Sequence, residues 1–342
     1  MRHLFHSAVM LSALLLPASA WPAETIRGVC IKAVEGKPPS SRGIATPGLA
    51  KQAFVQHCDG SWARIHAGPD GLVLEKPGPA ARPEARMPDM LPDGEITQAP
   101  GSVKKAWLSG PTGIYSHGIL GDPVEASALN VLTAQGQKFT YRIDQRSVFE
   151  DLRVRLVDLD GDGREELVVI RSYLEEGSAL SVFRLGLRGI KPLAETPPIG
   201  LSHRWLNPAG AADFDGDGKI EIAYVETPHI GGTLRLYQLG LGGLHQEYEA
   251  PGFSNHKMGS RMLDMSAVVD WNNDGIPDLA VPDASRRRLR VVGFAGGNFS
   301  NIARMAEGPE IMTRVLTTDL DGDGKPELLY GLADNTIVLV RP

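Results

Sequence analysis

Four stretches of this 342-residue chain carry oxygen-bearing side chains at one fixed spacing: DLDGDGREEL from Asp158, DFDGDGKIEI from Asp213, DWNNDGIPDL from Asp270 and DLDGDGKPEL from Asp319. Acid or amide oxygens stand at positions one, three and five, a glycine at position six and a carboxylate at position nine. The side chains are Asp158, Asp160, Asp162 and Glu166, then Asp213, Asp215, Asp217 and Glu221, then Asp270, Asn272, Asp274 and Asp278, then Asp319, Asp321, Asp323 and Glu327. Converging hard oxygens around a sharp turn are what a calcium ion requires, and the backbone carbonyl at position seven (Arg164, Lys219, Ile276, Lys325) is the natural main-chain ligand. The expectation is up to four bound Ca²⁺. A turn rich in Asp and Gly that binds nothing would leave the recurring carboxylate at position nine unexplained.

The loop is not an EF-hand, whose twelfth position must be a bidentate glutamate. Here that position holds Val169, Tyr224, Val281 and Tyr330. Position ten is Leu167, Ile222, Leu279 or Leu328, and β-like runs such as LVVIRSY and IAYVETP follow. Each loop therefore joins two strands.

The loops start 55, 57 and 49 residues apart, and a second register (SALNVL, SALSVF, GTLRLY, RRLRVV, NTIVLV) repeats at 51, 54, 55 and 48. It gives five repeats of about four short strands each. In the first, GILGDPVEASAL is too short for a full ion loop. A repeat of this length with almost no helical periodicity predicts an all-β fold of stacked units closed into a β-propeller. Five blades are expected, or six if residues 21–75 form another, with seven as the upper bound. The last repeat lacks a fourth strand, and VKKAWLSG around Trp107 is the expected donor, pairing the two ends of residues 102–342 and removing exposed edges.

Ahead of the repeats, residues 1–20 read as a cleaved secretory signal: Arg2, then the apolar AVMLSALLL, then Ala18-Ser19-Ala20. Residues 21–75 read as a small β segment holding the two cysteines, Cys30 and Cys58, which pair as a disulfide in an oxidising compartment. Residues 76–101, rich in Pro, Gly and Ala, read as a linker. The expected location is secreted or periplasmic, with no transmembrane segment. Net charge is −6, or −7 without residues 1–20. Fifteen acids are assigned as ligands in the four loops, and four Ca²⁺ would bring the protein without residues 1–20 to +1. The acidity is ion ligation, and nothing suggests a nucleic-acid partner.

These loops, the strands flanking them and the period resemble the FG-GAP, or VCBS, repeats of bacterial exported proteins and integrin α-subunit propellers, over roughly residues 102–342. The resemblance implies calcium between the first two strands of a blade, on one face of the disc. Loop three departs from it by carrying Asn272 in place of an aspartate. The family implies a fold and an ion far more specifically than a function.

If the ion loops share one face, the opposite face gathers His117, His203, Arg204, Trp205, His229, His256, Arg261, Asp283 and Arg286. Guanidinium and imidazole groups suit an anionic or hydroxyl-rich ligand, and Trp205 would offer a flat apolar surface. The chain carries no GxSxG, HExxH, CxxC or phosphate loop. The first reading is a binding module for a protein or glycan of unknown identity. The alternative is a sugar- or polyanion-active lyase or hydrolase using that face.

Overall fold

The computed structural model describes residues 23–26, 31–36, 49–50, 52–68, 71–75 and 86–342. The signal segment 1–20, Cys30 and most of the first half of the predicted linker lie outside the described residues, and Cys58 directly follows a strand.

The described residues form strands and one short 3-10 turn, with no α-helix. In chain order the strands are β1 (Ala23–Ile26), β2 (Ile31–Gly36), β3 (Ala53–His57), β4 (Trp62–Gly68) and β5 (Gly71–Glu75), then β6 (Thr97–Gln98), β7 (Val103–Thr112), β8 (Glu125–Thr133) and β9 (Lys138–Arg142). There follow β10 (Ser147–Phe149), β11 (Arg155–Val157), β12 (Glu166–Tyr173), β13 (Gly177–Gly186) and β14 (Gly189–Glu195), and then β15 (Leu206–Ala212), β16 (Glu221–Glu226), β17 (Thr233–Gly240) and β18 (Gly243–Pro251). The last are β19 (Ala267–Val269), β20 (Asp278–Pro282), β21 (Leu289–Gly293), β22 (Ser300–Arg304), β23 (Leu316–Thr318), β24 (Glu327–Gly331) and β25 (Ile337–Val340).

Four sheets are four-stranded: β2-β3-β4-β5, β15-β16-β17-β18, β19-β20-β21-β22 and β1-β25-β24-β23. A nine-stranded sheet holds two more meanders, β6–β9 and β11–β14, bridged by β10. Burial falls from the first strand of a meander to the last. Strands β11, β15 and β19 are buried at every residue, whereas β14 and β18 are largely exposed. The first strands also touch in series, β15 to β19, β19 to β23 and β23 to β2. Sheets whose first strands crowd a common centre and whose last strands face solvent are the blades of a propeller. The centre selects small residues: a Cβ on Gly210 in β15 would lie 2.7 Å from Val268 Cγ2 of β19. Apolar clusters fill the space between neighbouring sheets, such as Val225, Leu236 and Phe253 with Val268, Leu279 and Phe294.

Two expectations about the chain ends are corrected. The last sheet takes its fourth strand from β1, paired antiparallel with β25 from Ala23↔Val340 to Ile26↔Ile337. The VKKAWLSG stretch is instead β7, paired with β8 and β6 inside its own sheet. Pattern reading saw a missing strand but not which extended segment matched the open edge. Strands β3 and β4 moreover share a core with the last sheet, Ala53, Val55, Ala63 and Ile65 packing with Leu329, Ile337 and Leu339. The second half of the predicted linker is also built in. Thr97 is buried in β6 and donates its hydroxyl to the Val154 carbonyl, and the Glu95 N–H donates to Leu152 O at 2.7 Å.

Candidate functional site

Each acidic loop joins the first strand of a meander to the second, and all four repeat one hydrogen-bond scheme. The position-one aspartate accepts the N–H of the position-six glycine: Asp158 from Gly163 at 2.9 Å, Asp213 from Gly218 at 2.9 Å, Asp270 from Gly275 at 3.0 Å and Asp319 from Gly324 at 3.3 Å. The position-five aspartate accepts the N–H of position seven, as Asp162 does from Arg164 and Asp323 from Lys325. These glycines sit at φ of 83–89°, a region costly for any residue with a Cβ. The buried position-nine carboxylate opens the second strand and accepts the N–H of position two: Glu166 from Leu159, Glu221 from Phe214, Asp278 from Trp271 and Glu327 from Leu320. Position nine is thus the fixed anchor of the turn.

The donor set fits a hard cation. Ligand oxygens of Asp213, Asp215, Asp217 and Glu221 lie within 4.8 Å of one another, as do those of Asp158, Asp160 and Glu166, and of Asp319, Asp321 and Asp323. Asp158 Oδ1 is buried with no hydrogen-bond partner. Burial, reinforced by neighbouring aspartates, pushes the Glu221 and Asp278 carboxyls up to about 7. Loop three forms no comparable cluster of three carboxylates, and Asn272 Nδ2 donates to Asp274 at 2.7 Å.

The hairpins between second and third strands, and the segments entering each first strand, lie at the other end of the strands. They bring together several of the residues expected on that face. Glu150, fully buried, accepts from His117 Nδ1 at 2.7 Å and from the Ser172 hydroxyl, which leaves His117 Nε2 directed away from the carboxylate. His203 stands at φ 59°, exposed, its ring stacked on Tyr115 at 5.0 Å and 5.1 Å from that of His117. His256 Nε2 donates to Ser260 O, so its Nδ1 accepts from His229 Nε2 at 2.9 Å. Burial, with Arg286 nearby, pulls His229 down to about 4 and His256 to about 3, so both imidazoles are neutral near pH 7.

Other members of the predicted set have structural duties. Trp205 is 2% exposed, packed on His229 and His256, and donates Nε1–H to Glu150 O at 3.1 Å, so its faces are closed to a ligand. His256 is fully buried. Asp283 accepts from Ser285 and Arg287 and closes its own turn. Arg286 braces Ser254 and Glu310, and Arg261 joins Asp93 at 2.8 Å to Asp122 at 2.7 Å. Arg204, partly exposed, has no carboxylate partner among the described residues. Four exposed apolar side chains, Ile114, Leu201, Ile230 and Met258, lie on the hairpins and entry segments at this end of the strands. Sequence reading missed Tyr115, Glu125 and Glu150. The one available signal was a pair of acids, Glu150-Asp151, inside an otherwise apolar strand pattern.

Glu125 is 1% exposed, and its Oε1 has no partner. Burial, followed by the charges of Glu150, Asp122, Asp93 and Asp151, raises its carboxyl to about 9. A carboxyl raised on folding stabilises the fold fully below its unfolded value and progressively less as pH rises to the folded one. The Glu125→Gln variant is therefore more stable than the parent at pH 7, by on the order of 3 kcal/mol at 1.36 kcal/mol per pH unit. Urea unfolding at pH 7 and pH 4 checks this: the gain disappears at pH 4.

The family model described as FG-GAP-like repeat matches residues 154–224 and 270–330, and each matched segment contains two of the four acidic loops. No curated protein matches the chain. Among the described residues no helix is long and apolar enough to cross a membrane. With its fold and its loops both conforming to the repeat, the chain carries FG-GAP-like repeats over residues 154–224 and 270–330.

Proposed function

We propose that this protein is an exported interaction module: a six-unit propeller held in shape by calcium in the acidic loops, which binds an anionic protein segment or glycan on the opposite face. The reading is carried by Arg204, a partly exposed guanidinium without a carboxylate partner among the described residues, next in the chain to exposed His203, at an end of the strands whose hairpins and entry segments also expose four apolar side chains. Such a mixture suits recognition more than solubility. Export rests on the apolar N-terminal segment and the expected Cys30–Cys58 pair.

Retention on an immobilised anionic polysaccharide and on an acidic peptide tests the surface. Arg204→Glu weakens retention by at least tenfold while the calcium-dependent thermal midpoint stays within about one degree of the parent, as a surface change should. Retention unaffected by Arg204→Glu removes this surface as the binding site.

One observation favours a second reading, an enzyme acting on a polyanionic sugar. Buried Glu150 orients His117 as a general base is oriented, with Nε2 left available. Tyr115 is unsuited to that role, because burial and Glu150 raise its hydroxyl to about 12. Product formation from a polyuronate, lost in His117→Gln with binding retained, would decide for catalysis.

A further inference from the structure

The residue that faces the position-nine carboxylate across the second and third strands differs from loop to loop. In loop one it is Arg184, whose Nε donates to Glu166 at 3.0 Å and whose Nη2 reaches the position-three Asp160. In loop four it is Arg341, with Nε 2.9 Å from Glu327 and 3.3 Å from the position-three Asp321. In loop two it is Gln238, a neutral amide donating to Glu221 and Asp217 at 3.1 Å each. In loop three it is Gly293, where a Cβ would meet Asp278 at 2.7 Å.

We infer that this facing residue sets how much each loop depends on a metal ion: Arg184 and Arg341 are resident cations that satisfy loops one and four, whereas loop two is the tight calcium site. This rests on the proposed calcium reading. A guanidinium beside two carboxylates supplies positive charge that an ion would otherwise supply, with hydrogen bonds to both carboxylates in loop one and to Asp321 in loop four. A divalent ion entering loop one or four must displace that guanidinium or bind beside it against like-charge repulsion. Loop two gathers four carboxylates with no such cation at position nine. Lys219 does reach Asp217 at 3.0 Å, but its side chain is 59% exposed and it leaves Glu221 untouched. Arg341 has a second task, since its Nη1 bonds Glu24 on β1. The resident cation of loop four thereby also clasps the strand that completes the last sheet, which fits a seam that stays shut without metal.

Calorimetric titration of the metal-stripped full chain with Ca²⁺ tests this. Asp215→Asn removes a tight site, and Asp160→Asn leaves the tight class intact, because loop one binds at least tenfold more weakly. Arg184→Gln adds one tight site, which Asp160→Asn placed on top of it removes again. In chelator, Arg184→Gln unfolds at a lower temperature than the parent, having lost its resident cation. Equal loss of tight binding in Asp160→Asn and Asp215→Asn overturns the inference even if Arg184→Gln fails to fold, and so does an Arg184→Gln variant with no added site. A parent chain that takes up no calcium at all overturns the calcium reading itself, a distinct result.

Discussion

Exhaustive chelation lowers the thermal unfolding midpoint of the calcium-loaded protein by on the order of 10 °C. In loops one, two and four, three or four carboxylates lie with their ligand oxygens inside 4.8 Å. Two unit charges 4 Å apart repel by about 4 kcal/mol at the effective dielectric of a protein surface. Where no arginine faces the carboxylates, as in loop two, a metal-free loop can relieve this only by taking up protons or opening, and Glu221 is already pushed up to about 7. An ion bound only by the folded state at 100 times its Kd adds about 2.7 kcal/mol per site. Each kcal/mol moves the midpoint by about 2–4 °C in domains of 150–250 residues. Scanning calorimetry with calcium and with excess chelator measures the shift. Asp213→Ala reproduces part of it in calcium and has a smaller effect in chelator, where it removes only the turn bonds to Gly216 and Gly218. A midpoint unmoved by chelation would remove calcium from the account of stability.

Asp264→Ala destabilises the fold by about 3–5 kcal/mol, the range for stripping one partner from a buried ion network. Asp264 precedes β19. It accepts from both terminal nitrogens of Arg153, which precedes β11, and from Arg314 Nη2 at 2.7 Å, which precedes β23. Glu95, just before β6, lies 3.4 Å from Arg153 Nη1. One carboxylate therefore ties the entry segments of three meanders, with a fourth, β6–β9, attached through Arg153. The Arg153 side chain is only 5% exposed, and although burial opposes its charge, Asp264 holds it ionised. Urea unfolding of Asp264→Ala, Arg153→Met and the double variant separates the contributions. The double variant costs less than the sum, because removing both charges leaves none stranded. A cost below about 1 kcal/mol for Asp264→Ala would show a solvated brace instead.

The acidic loops were legible because their chemistry is local. Ligand spacing, the glycine that turns the backbone and the carboxylate that opens the next strand lie within nine residues, so Asp158 to Glu166 carry the motif without help from the fold. The period between loops likewise specified a repeating all-β architecture, since each four-stranded unit must bury its faces against a neighbour. What depended on pairing distant segments was not legible. The completing strand is Ala23–Ile26 and not Val103–Thr112, because an open edge is closed by backbone hydrogen bonds that any extended segment of suitable length can make, and only the packed ring decides which one arrives. The same holds on the opposite face. The entry segments holding His203 and His256 and the second-to-third-strand hairpins holding His117 and His229 meet at one end of the strands, so neighbouring units bring these rings near one another. Yet the sequence does not distinguish Trp205 as a buried prop from Trp205 as a contact surface, because burial depends on groups 50 or more residues away, such as the Glu150 main-chain carbonyl that accepts from its indole nitrogen and the His256 ring packed on it. Arg184, Gln238, Gly293 and Arg341 show the same limit within the loops themselves. Nothing near them in the chain marks them as facing position nine, and only the register between second and third strands puts a guanidinium, an amide or no side chain against the carboxylate.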